Sequence, residues 1–442
     1  MAPLFTKEEA LAYHSANPAG KMETIPIKPA VTQKHLSMAY SPGVAEACWA
    51  ISKNPDDVYK YTNKGNLVAV VSNGSAILGI GNLGGAASKP VMEGKCLLFK
   101  IFGDVNGHDI CLDAKDPELI IKVCKALEPT YGGINLEDIK APECFYIEET
   151  LKKEMNIPVF HDDQHGTAII TGGGFINALD ITGKKAENVK LVVSGAGAAA
   201  IATCKFYMLL GLQKENIAMF DTKGHIHTGR TDLNEQKKFF AQKKAYANMA
   251  EAFKGADMFL GLSDKGLVSK DMVKSMGKNP ILFAMANPNP EITYTDAKEA
   301  RPDAIMGTGR SDFPNQINNV SGFPYIFRGA FDVRAKKIND EMKMAAAKGI
   351  AALAKEPVPQ ALLDRYGMKT APKYGIDYIV PLAMDPRLLI WESPAVAKAA
   401  MDTGVAQIKL NIEQYKKDLT KRMEASQKRI ADFVKSYNHP SF

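Results

Sequence analysis

The sequence predicts an α/β protein built from two successive parallel sheets and a helical C-terminal segment. Strand-length apolar runs alternate with helix-length segments from about residue 110 onward. A short glycine-rich turn, GAGAAA, follows one of these runs and opens another helical stretch. Alternation of this kind is typical of βαβ units, and a glycine-rich turn between strand and helix is typical of a Rossmann-like unit. The 442 residues are enough for two or three compact units.

The first half of the chain predicts one such unit. The stretch 95–102 (KCLLFKIF) fits a helix or a strand equally well, because a short apolar run has no decisive period. The other predicted elements are helices at 41–53, 117–127, 141–155 and 167–179, strands at 67–72, 133–136 and 157–160, and turns at 73–85 and 161–166.

The second half predicts the Rossmann-like unit and the helical end. Its predicted strands are 190–194, 217–220, 258–261 and 281–285. In the last segment, apolar residues from Ile408 to Phe433 recur mostly every third or fourth position, which predicts an amphipathic helix that packs on its own or a partner subunit. These patterns divide the chain into an N-terminal α/β domain at 1–165, a Rossmann-like domain at 166–385 and a C-terminal helical segment at 386–442.

Composition narrows the class of protein. The formal charge of +6 is spread along the chain, without the like-charged runs that are typical of nucleic-acid binding. The six cysteines form no Cys-x-x-Cys pair, and no apolar stretch reaches the roughly 18 residues that span a bilayer. The first nine residues have neither an apolar signal region nor an arginine-rich presequence. We therefore expect a soluble cytoplasmic protein that binds neither nucleic acid nor membranes.

The turn after residues 190–194 predicts a dinucleotide site. Gly195 and Gly197 allow a tight turn and a close approach to a pyrophosphate, which the N-terminus of the next helix attracts. Asp221 ends the next strand, at the place where an acid binds the ribose hydroxyl of NAD. Lys223 lies two residues further and can offset that charge, so both NAD and NADP remain open.

Four acids follow two predicted strands. Glu137 and Asp138 follow the strand at 133–136, while Asp162 and Asp163 follow the strand at 157–160. If these strands are neighbours in a parallel sheet, all four carboxylates meet at one edge, which is costly without a cation. Oxygen ligands suit Mg²⁺ or Mn²⁺. His161 and His165 flank the second pair, but they lack partners for zinc and are expected to position other groups.

Put in chain order, several segments resemble the malic enzyme family in its short bacterial form. The matching segments are YSPGVA at Tyr40, EGK ending at Lys95, INLED ending at Asp138, FHDDQHGTA from Phe160, GAGAAA from Gly195, ANP around Asn287 and NQINNV from Asn315. The segment PLAMDPRLL and the later SPAVAKAAMDTGVA resemble the same family. Composition alone assigns no role to isolated residues such as Tyr40, Lys95 or the asparagines.

The resemblance implies a role for each matching residue. It implies Tyr40 as general acid, a neutral Lys95 as general base, and Asp162 as the group that polarises this lysine. The implied metal ligands are Glu137, Asp138 and Asp163. The implied coenzyme and substrate contacts are Gly195, Ala196, Gly197, Ala198, Ala199, Asp221, Asn287, Asn318 and Asn319.

The sequence departs from the family pattern at one substrate position. Longer members carry an arginine that binds a malate carboxylate, whereas this chain has Ala76 after Ser75. We expect backbone amides of residues 75–79, or an asparagine, to replace that arginine.

The resemblance implies oxidative decarboxylation of L-malate to pyruvate by a homodimer, with NAD or NADP and with Mg²⁺ or Mn²⁺. Two other classes stay open from the residues alone. A 2-hydroxy-acid dehydrogenase without decarboxylation usually pairs an arginine with a histidine base and needs no metal. A nucleotide-sensing protein on a retired enzyme fold would need no catalytic residues, yet each expected residue type is present.

Overall fold

A computed structural model describes residues 5–77, 80–286 and 288–437. The strands are β1 (Leu67–Ser72), β2 (Asn106–Cys111), β3 (Gly133–Leu136), β4 (Val159–His161), β5 (Leu191–Ser194), β6 (Ile217–Asp221), β7 (Gly224–His225), β8 (Met258–Gly261), β9 (Ile281–Ala284) and β10 (Ile305–Thr308). The longer helices are α1 (Lys7–Ser15), α2 (Gln33–Ala39), α3 (Val44–Lys53), α4 (Val58–Tyr61), α5 (Gly85–Gly103), α6 (Pro117–Leu127), α7 (Glu143–Glu154), α8 (Asp162–Thr182) and α9 (Ala198–Leu209). They continue as α10 (Glu235–Phe239), α11 (Met249–Phe253), α12 (Lys270–Lys274), α13 (Tyr294–Ala300), α14 (Phe323–Asp332), α15 (Asp340–Leu353), α16 (Gln360–Arg365), α17 (Leu388–Asp402) and α18 (Ile412–Lys435).

The predicted fold class is confirmed. The first sheet has the strand order β2-β1-β3-β4 and is entirely parallel. The second sheet has the order β10-β9-β8-β5-β6-β7, with every pair parallel except β6 with β7. Parallel strands joined by helices place ligands at the carboxyl ends of the strands, so both sheets present a candidate edge.

Local sequence accounts for these elements where it carries a clear signal. Asp116 caps α6 by accepting the backbone N–H of Glu118 at 3.0 Å, and Pro117 occupies the first turn. The buried stripe of α6 consists of Ile120, Ile121 and Cys124. Strand β1 is buried along its whole length, as its continuous apolar sequence predicts.

Helix α8 passes through the core and joins the two sheets. Its three consecutive glycines let neighbouring helices approach closely: a Cβ at Gly172 would lie 2.4 Å from the Phe206 ring, and one at Gly173 would lie 2.9 Å from Ile350. Three glycines inside a helix lower its intrinsic stability by about 1 kcal/mol each relative to alanine. The packing of α9 and α15 against α8 requires them nevertheless.

The two sheets share one apolar core, which fixes their relative position. Helix α14 packs on α5, with the ring of Phe99 4.7 Å from that of Phe323 and 5.1 Å from that of Phe327. Phe327 also contacts Phe160 of β4 at 5.9 Å between ring centroids. The edge of the first sheet therefore has a set position relative to the second sheet.

The C-terminal helix α18 docks on its own chain, which decides between the two predicted packings for its first half. Tyr415 donates its hydroxyl to Asp332 at 2.7 Å, and Ser426 donates to Asp104 at 2.7 Å. Arg422 forms an ion pair with Asp104 at 2.8 Å. The C-terminal segment is thereby tied to the loop that precedes β2.

The N-terminal arm, residues 5–63, is packed differently from the rest. No residue in it is buried, although it contains helices α1 to α4. Many of its large apolar side chains are exposed, including Ile27, Val31, Tyr40 and Trp49. Lys21 donates to the carbonyl oxygen of Pro90 at 2.8 Å and so links the arm to α5.

Several local predictions need correction. The stretch 95–102 is helical and belongs to α5. The predicted turn at 161–166 is wrong, because α8 begins at Asp162. Strands β2, β7 and β10 were not predicted: all three lie at sheet edges, the sequence of β2 is polar, and β7 has only two residues. Within the part of the chain that the structure describes, no helix combines the length and the apolar composition needed to cross a membrane.

Candidate active site

The two acid pairs lie side by side at the carboxyl edge of the first sheet. Strands β3 and β4 are parallel neighbours, with Leu136 opposite His161, which confirms the predicted arrangement. The backbone N–H of Asp138 donates to the Asp163 carboxylate at 2.8 Å. Asp138 adopts a left-handed backbone conformation, with φ of 52°, so the chain turns sharply just after the strand.

Three carboxylates form a cluster that fits a divalent cation. One oxygen from each of Glu137, Asp138 and Asp163 lies within 4.8 Å of the others. The pKa of Glu137 is raised to about 8, chiefly by burial; Lys95 opposes the shift, while the charges of Asp163 and Asp162 add to it. Burial and the Asp138 charge raise the pKa of Asp163 to about 7. Such crowding of oxygen donors is relieved when a hard cation binds, and the donor set suits Mg²⁺ or Mn²⁺.

Lys95 connects this cluster to Asp162. Its ammonium lies 2.6 Å from Asp162 Oδ2 and 2.9 Å from Glu137 Oε1, and 4.0 Å from the centre of the Phe323 ring. Burial alone would lower the pKa of Lys95, but the two carboxylates hold it well above its ordinary value. These two carboxylates therefore favour the protonated form of Lys95 in the chain by itself, whereas the role implied by the resemblance needs the neutral form.

Asp162 links the two halves of the site. It is fully buried, and its Oδ2 also accepts the Nδ2–H of Asn319 at 3.3 Å. Asn319 in turn accepts the hydroxyl of Thr167 at 3.3 Å. Gly166 makes room for this carboxylate, because a Cβ there would lie 2.1 Å from Asp162 Oδ1. The glycine of the sequence HDDQHG is thus required by the side chain four residues before it.

The two histidines of the same segment have different surroundings. His161 is fully buried, and burial lowers its pKa to about 4, so the ring is neutral. His165 contacts both oxygens of Glu148 at 2.9 Å. Neither histidine belongs to the carboxylate cluster described above.

Tyr40 is not brought to the lysine within this chain. It follows α2 and is 75% exposed. Among the hydrogen bonds of the described residues, none joins its hydroxyl to Lys95, Asp162 or the carboxylate cluster. The structure therefore assembles the predicted base and its acids but leaves the predicted acid on the exposed arm.

The loop that lacks the family's arginine is already hydrogen-bonded within the chain. The backbone N–H of Ser75 donates to Asn73 Oδ1 at 3.2 Å, that of Ala76 to the carbonyl of Asp138 at 3.0 Å, and that of Ile77 to the carbonyl of Gly81 at 3.0 Å. Residues 78 and 79 lie outside the described part. The amides of 75–77 thus hold the loop beside the acids and are already used within the chain, while replacement of the arginine by residues 78 and 79 or by an asparagine stays a prediction.

The glycine-rich turn of the second sheet has the shape that a phosphate group needs. Gly195 has φ of 109°, and a Cβ there would lie 2.4 Å from the carbonyl oxygen of Leu262. Gly197 has an ordinary φ of −85°, and a Cβ there would point into open space. Helix α9 begins at Ala198, so its first N–H groups face this space. Ala196 completes the turn, and Ala199 lies in the first turn of α9, an arrangement that can accommodate a pyrophosphate.

Asp221 is engaged by two cations at the end of β6. Arg230 lies 2.7 Å from its Oδ1 and Lys237 lies 2.7 Å from its Oδ2. Burial would raise the pKa of Asp221, but these hydrogen bonds lower it to about 2. A groove of about 490 Å³ lies beside this network, lined by Lys223, Gly224, His225, His227, Arg230, Thr231, Asp232, Tyr246 and Ala247.

One residue near the glycine-rich turn had no recognisable signal in the sequence. Glu291 is fully buried and accepts the backbone N–H of Ser263 at 2.9 Å and that of Ala286 at 3.1 Å. It thereby links the loops after β8 and β9, which lie on the same side of the glycine-rich turn. Asn287, the predicted coenzyme contact, lies outside the described residues. Asn318 caps a short 3-10 turn by accepting the N–H of Val320 at 3.0 Å.

Comparison with known families matches most of the chain. The family model for the malic enzyme N-terminal domain matches residues 19–152. The model for the malic enzyme NAD-binding domain matches residues 164–363. The first match contains β1 to β3 and α7, while the second begins inside α8 and contains the whole second sheet.

Curated relatives carry the same family name. An NADP-dependent malic enzyme of Rhizobium meliloti is 54% identical over 421 residues, which are 95% of this chain and 55% of the relative. An NADP-dependent malic enzyme of Halomonas elongata is 54% identical and is covered to 95% of its length. A bifunctional malic/malolactic enzyme of Bacillus subtilis is 50% identical over 92% of this chain. The chain thus spans about half the length of relatives such as the Rhizobium protein.

Solved structures are similar over nearly the whole chain. A malic enzyme from Pyrococcus horikoshii has a TM-score of 0.88 and 41% identity, and the match covers 98% of this chain and 99% of that one. A malic enzyme from Entamoeba histolytica has a TM-score of 0.88 and 33% identity over 98% of this chain. Both sheets and the helical C-terminal segment are included in these matches.

Proposed function

This chain belongs to the malic enzyme family, and from that premise we propose that it catalyses the oxidative decarboxylation of L-malate to pyruvate and CO₂. The reaction uses NAD or NADP and a divalent cation, Mg²⁺ or Mn²⁺. The observation that carries the proposal is the contact between Lys95 and the acids at one sheet edge, 2.6 Å from Asp162 and 2.9 Å from Glu137. A hydroxy-acid dehydrogenase without decarboxylation has no use for this cluster of carboxylates.

Glu137, Asp138 and Asp163 are the residues that would hold the cation. When bound, the cation supplies Lewis-acid stabilisation of charge on the substrate oxygens. It also offsets the repulsion among the three carboxylates, which otherwise opposes folding. The main-chain bond from Asp138 to Asp163 keeps the two loops in register before any cation binds.

Lys95 is the group that we assign to the C2 hydroxyl proton. Asp162 orients the amine of Lys95 through the 2.6 Å contact and is itself held by Asn319. Lys95 also contacts Glu137, which belongs to the carboxylate cluster. It therefore lies between the proposed metal ligands and Asp162. This placement lets the neutral form of Lys95 accept the proton of the C2 hydroxyl.

Asn318 and Asn319 are the groups that we assign to a substrate carboxylate in place of the absent arginine. Both are partly exposed and follow the second sheet, and Asn319 contacts Asp162. The main-chain amides of residues 75–77 already donate within the chain. The asparagine side chains are therefore the better candidates.

Tyr40 is the group that we assign to protonation of C3, and we propose that a second copy of the chain places it. The arm that carries Tyr40 exposes many apolar side chains and buries none of its residues. An apolar surface of this extent is typical of an interface. A homodimer would cover the arm, and a tyrosine on an arm that crosses between protomers would reach the partner's lysine.

The coenzyme is assigned to the second sheet, with its pyrophosphate at Gly195–Ala199 and its adenosine ribose near Asp221. Arg230 and Lys237 neutralise Asp221, so this acid repels a 2′-phosphate less than an unpaired acid would. The groove beside it also contains Lys223 and His227. These contacts favour NADP over NAD as the coenzyme.

The positions of the groups assigned above support the expected organisation of the chain into three functional parts. We propose that residues 1–165 hold metal and substrate, 166–385 hold the coenzyme, and 386–442 brace the first part through Asp104. We also propose a cytoplasmic location, which the six free cysteines support because thiols persist in reducing compartments.

A single assay tests the proposal. Purified protein is given L-malate and NADP, or NAD, with and without Mn²⁺, and both the reduced coenzyme and pyruvate are measured. We expect equal amounts of both products, and only with the cation. Reduced coenzyme without pyruvate would indicate the non-decarboxylating dehydrogenase, and the absence of both would indicate a protein that only binds nucleotide.

A further inference from the structure

A cavity of about 230 Å³ lies between α7, α8, α9 and α15, and the proposed reaction makes no use of it. Its lining contains both polar and apolar side chains. The polar ones are Glu148, Glu149, Lys152, Gln164, His165, Lys205, Asp340 and Lys343. The apolar ones are Phe145, Ile201, Ala202, Phe206 and Leu209, most of them on α9.

Two buried donors in this cavity have unused hydrogen-bonding capacity among the described residues. Gln164 is 4% exposed, and its Nε2 has no hydrogen-bond partner among the described residues. Lys343 is 6% exposed. Among the described residues, its ammonium has one assigned acceptor, Asp340 Oδ1 at 3.1 Å. A buried donor without an acceptor costs about 1–3 kcal/mol, so the site favours a ligand that brings acceptor oxygens.

Glu148, the most deeply buried acid of this lining, does not supply those acceptor oxygens. Glu148 already accepts the backbone N–H of His161 at 3.1 Å. It also contacts His165 at 2.9 Å and the ammonium of Lys152 at 2.6 Å. The negative charge of Glu148 is therefore matched by Lys152 and by these hydrogen bonds. The ammonium of Lys343, with Asp340 as its one assigned acceptor among the described residues, can accept a further partner from a ligand.

We propose that this cavity binds a small monocarboxylate with a branched apolar body of about four to six carbons, the size that such a volume admits. The carboxylate accepts from Lys343 Nζ and Gln164 Nε2, which satisfies both buried donors. The apolar body packs on Ile201, Phe206 and Leu209. Coenzymes are excluded by size.

The position of the cavity makes its ligand a regulator of the neighbouring sites. Gln164 follows Asp162 and Asp163 on the first turn of α8. Ile201 lies on the first turns of α9, just after the coenzyme turn. A ligand that contacts both helices and prefers one arrangement of them changes turnover, because coupling between sites requires such a differential affinity.

The test uses the full chain and isovalerate as the probe, with binding measured by calorimetry in the absence of malate and coenzyme. We expect saturable binding to the unmodified chain and none of isovaleramide, which has the same shape without the charge. Lys343→Met should weaken binding roughly tenfold to a hundredfold, the usual worth of a hydrogen bond to a charged group. Lys348→Met, an exposed lysine on the same helix, is the matched control and should bind normally.

A second variant keeps the test decisive if Lys343→Met does not fold. Leu209 is 47% exposed at the rim, so Leu209→Trp fills the apolar side without entering the core, and it should also weaken binding about tenfold or more. Equal binding by the unmodified chain and both variants, equal binding of isovaleramide, or no binding of isovalerate would overturn the proposal. Because the measurement needs no turnover, a chain that binds isovalerate and does not oxidise malate contradicts only the proposed function.

Discussion

The acid cluster at the first sheet and the N-terminal arm carry the two groups that the proposed chemistry needs, but they are built in opposite ways. The cluster is buried, and Lys95 has two carboxylate partners within 2.9 Å. Tyr40 lies on an arm without one buried residue. The contrast teaches that one chain by itself brings Lys95 and the three carboxylates together, whereas the role proposed for Tyr40 depends on an interface between two chains.

The largest effect is expected at the cluster. Asp163→Ala or chelation with EDTA should lower malate turnover on the order of 10³-fold or more, because Lewis-acid stabilisation is worth several kcal/mol. Asp113→Ala, an exposed acid after β2 on the same sheet, should leave turnover unchanged. Steady-state rates with and without Mn²⁺ measure both. Full turnover by chelated protein would remove the metal from the proposed reaction.

The same cluster predicts a change in stability. Mn²⁺ should raise the Tm of the unmodified chain, because a ligand that binds the folded state stabilises it. Asp163→Asn removes one of three crowded charges and should raise the Tm of the metal-free protein while abolishing the Mn²⁺ effect. Thermal scans in EDTA and in Mn²⁺ measure this. A lower Tm for Asp163→Asn in EDTA would mean that the carboxylates do not repel one another.

The next effect concerns Lys95. Lys95→Ala should lower malate oxidation roughly 10²–10⁴-fold, the usual loss for a general base, and a small added amine should restore part of it. The control is Lys89→Ala on the same helix, since Lys89 is exposed and contacts Asp109. A normal rate for Lys95→Ala would assign the hydroxyl proton to another group.

The arm is tested by mixing two inactive variants. Tyr40→Phe and Lys95→Ala are each expected to turn over malate slowly, and Tyr40→Phe should keep reduction of a supplied 2-oxo acid better than malate turnover. If the partner's arm supplies the tyrosine, subunit exchange in a symmetric dimer restores about a quarter of the activity, because half the dimers are mixed and each has one complete site. No recovery after confirmed exchange would place Tyr40 in the site of its own chain.

The smallest effect is expected at the coenzyme. Asp221→Asn removes a charge near the ribose and frees Arg230 and Lys237, so the preference for NADP over NAD should rise by about 1–3 kcal/mol in kcat/KM. Asp271→Asn, an exposed acid on α12, is the control. An unchanged coenzyme ratio would mean that the ribose lies elsewhere.

The sequence was most informative where one local pattern repeats. Apolar runs located β1, β3, β5, β6, β8 and β9 to within a residue or two, because a buried parallel strand must be apolar over its whole length. Three edge strands, β2, β7 and β10, were missed: β2 is polar and β7 has only two residues. The edge strand β4 carries an apolar run and was located to within two residues. The first turn of α8 was mistaken for a loop, since its acids and glycine match turn chemistry as well as a helix start.

What the sequence by itself determined is therefore the order of elements and the gathering of acids at strand ends, since both follow from short-range periodicity. Only the tertiary structure decided which charges meet. Lys95 and Asp162 are 67 positions apart, and Asn319 and Asp162 are 157 apart. The tertiary structure also decided the ion pairs of Asp221 with Arg230 and Lys237, and the exposure of Tyr40. Such contacts depend on how helices cross and sheets pack, and no local pattern records that geometry.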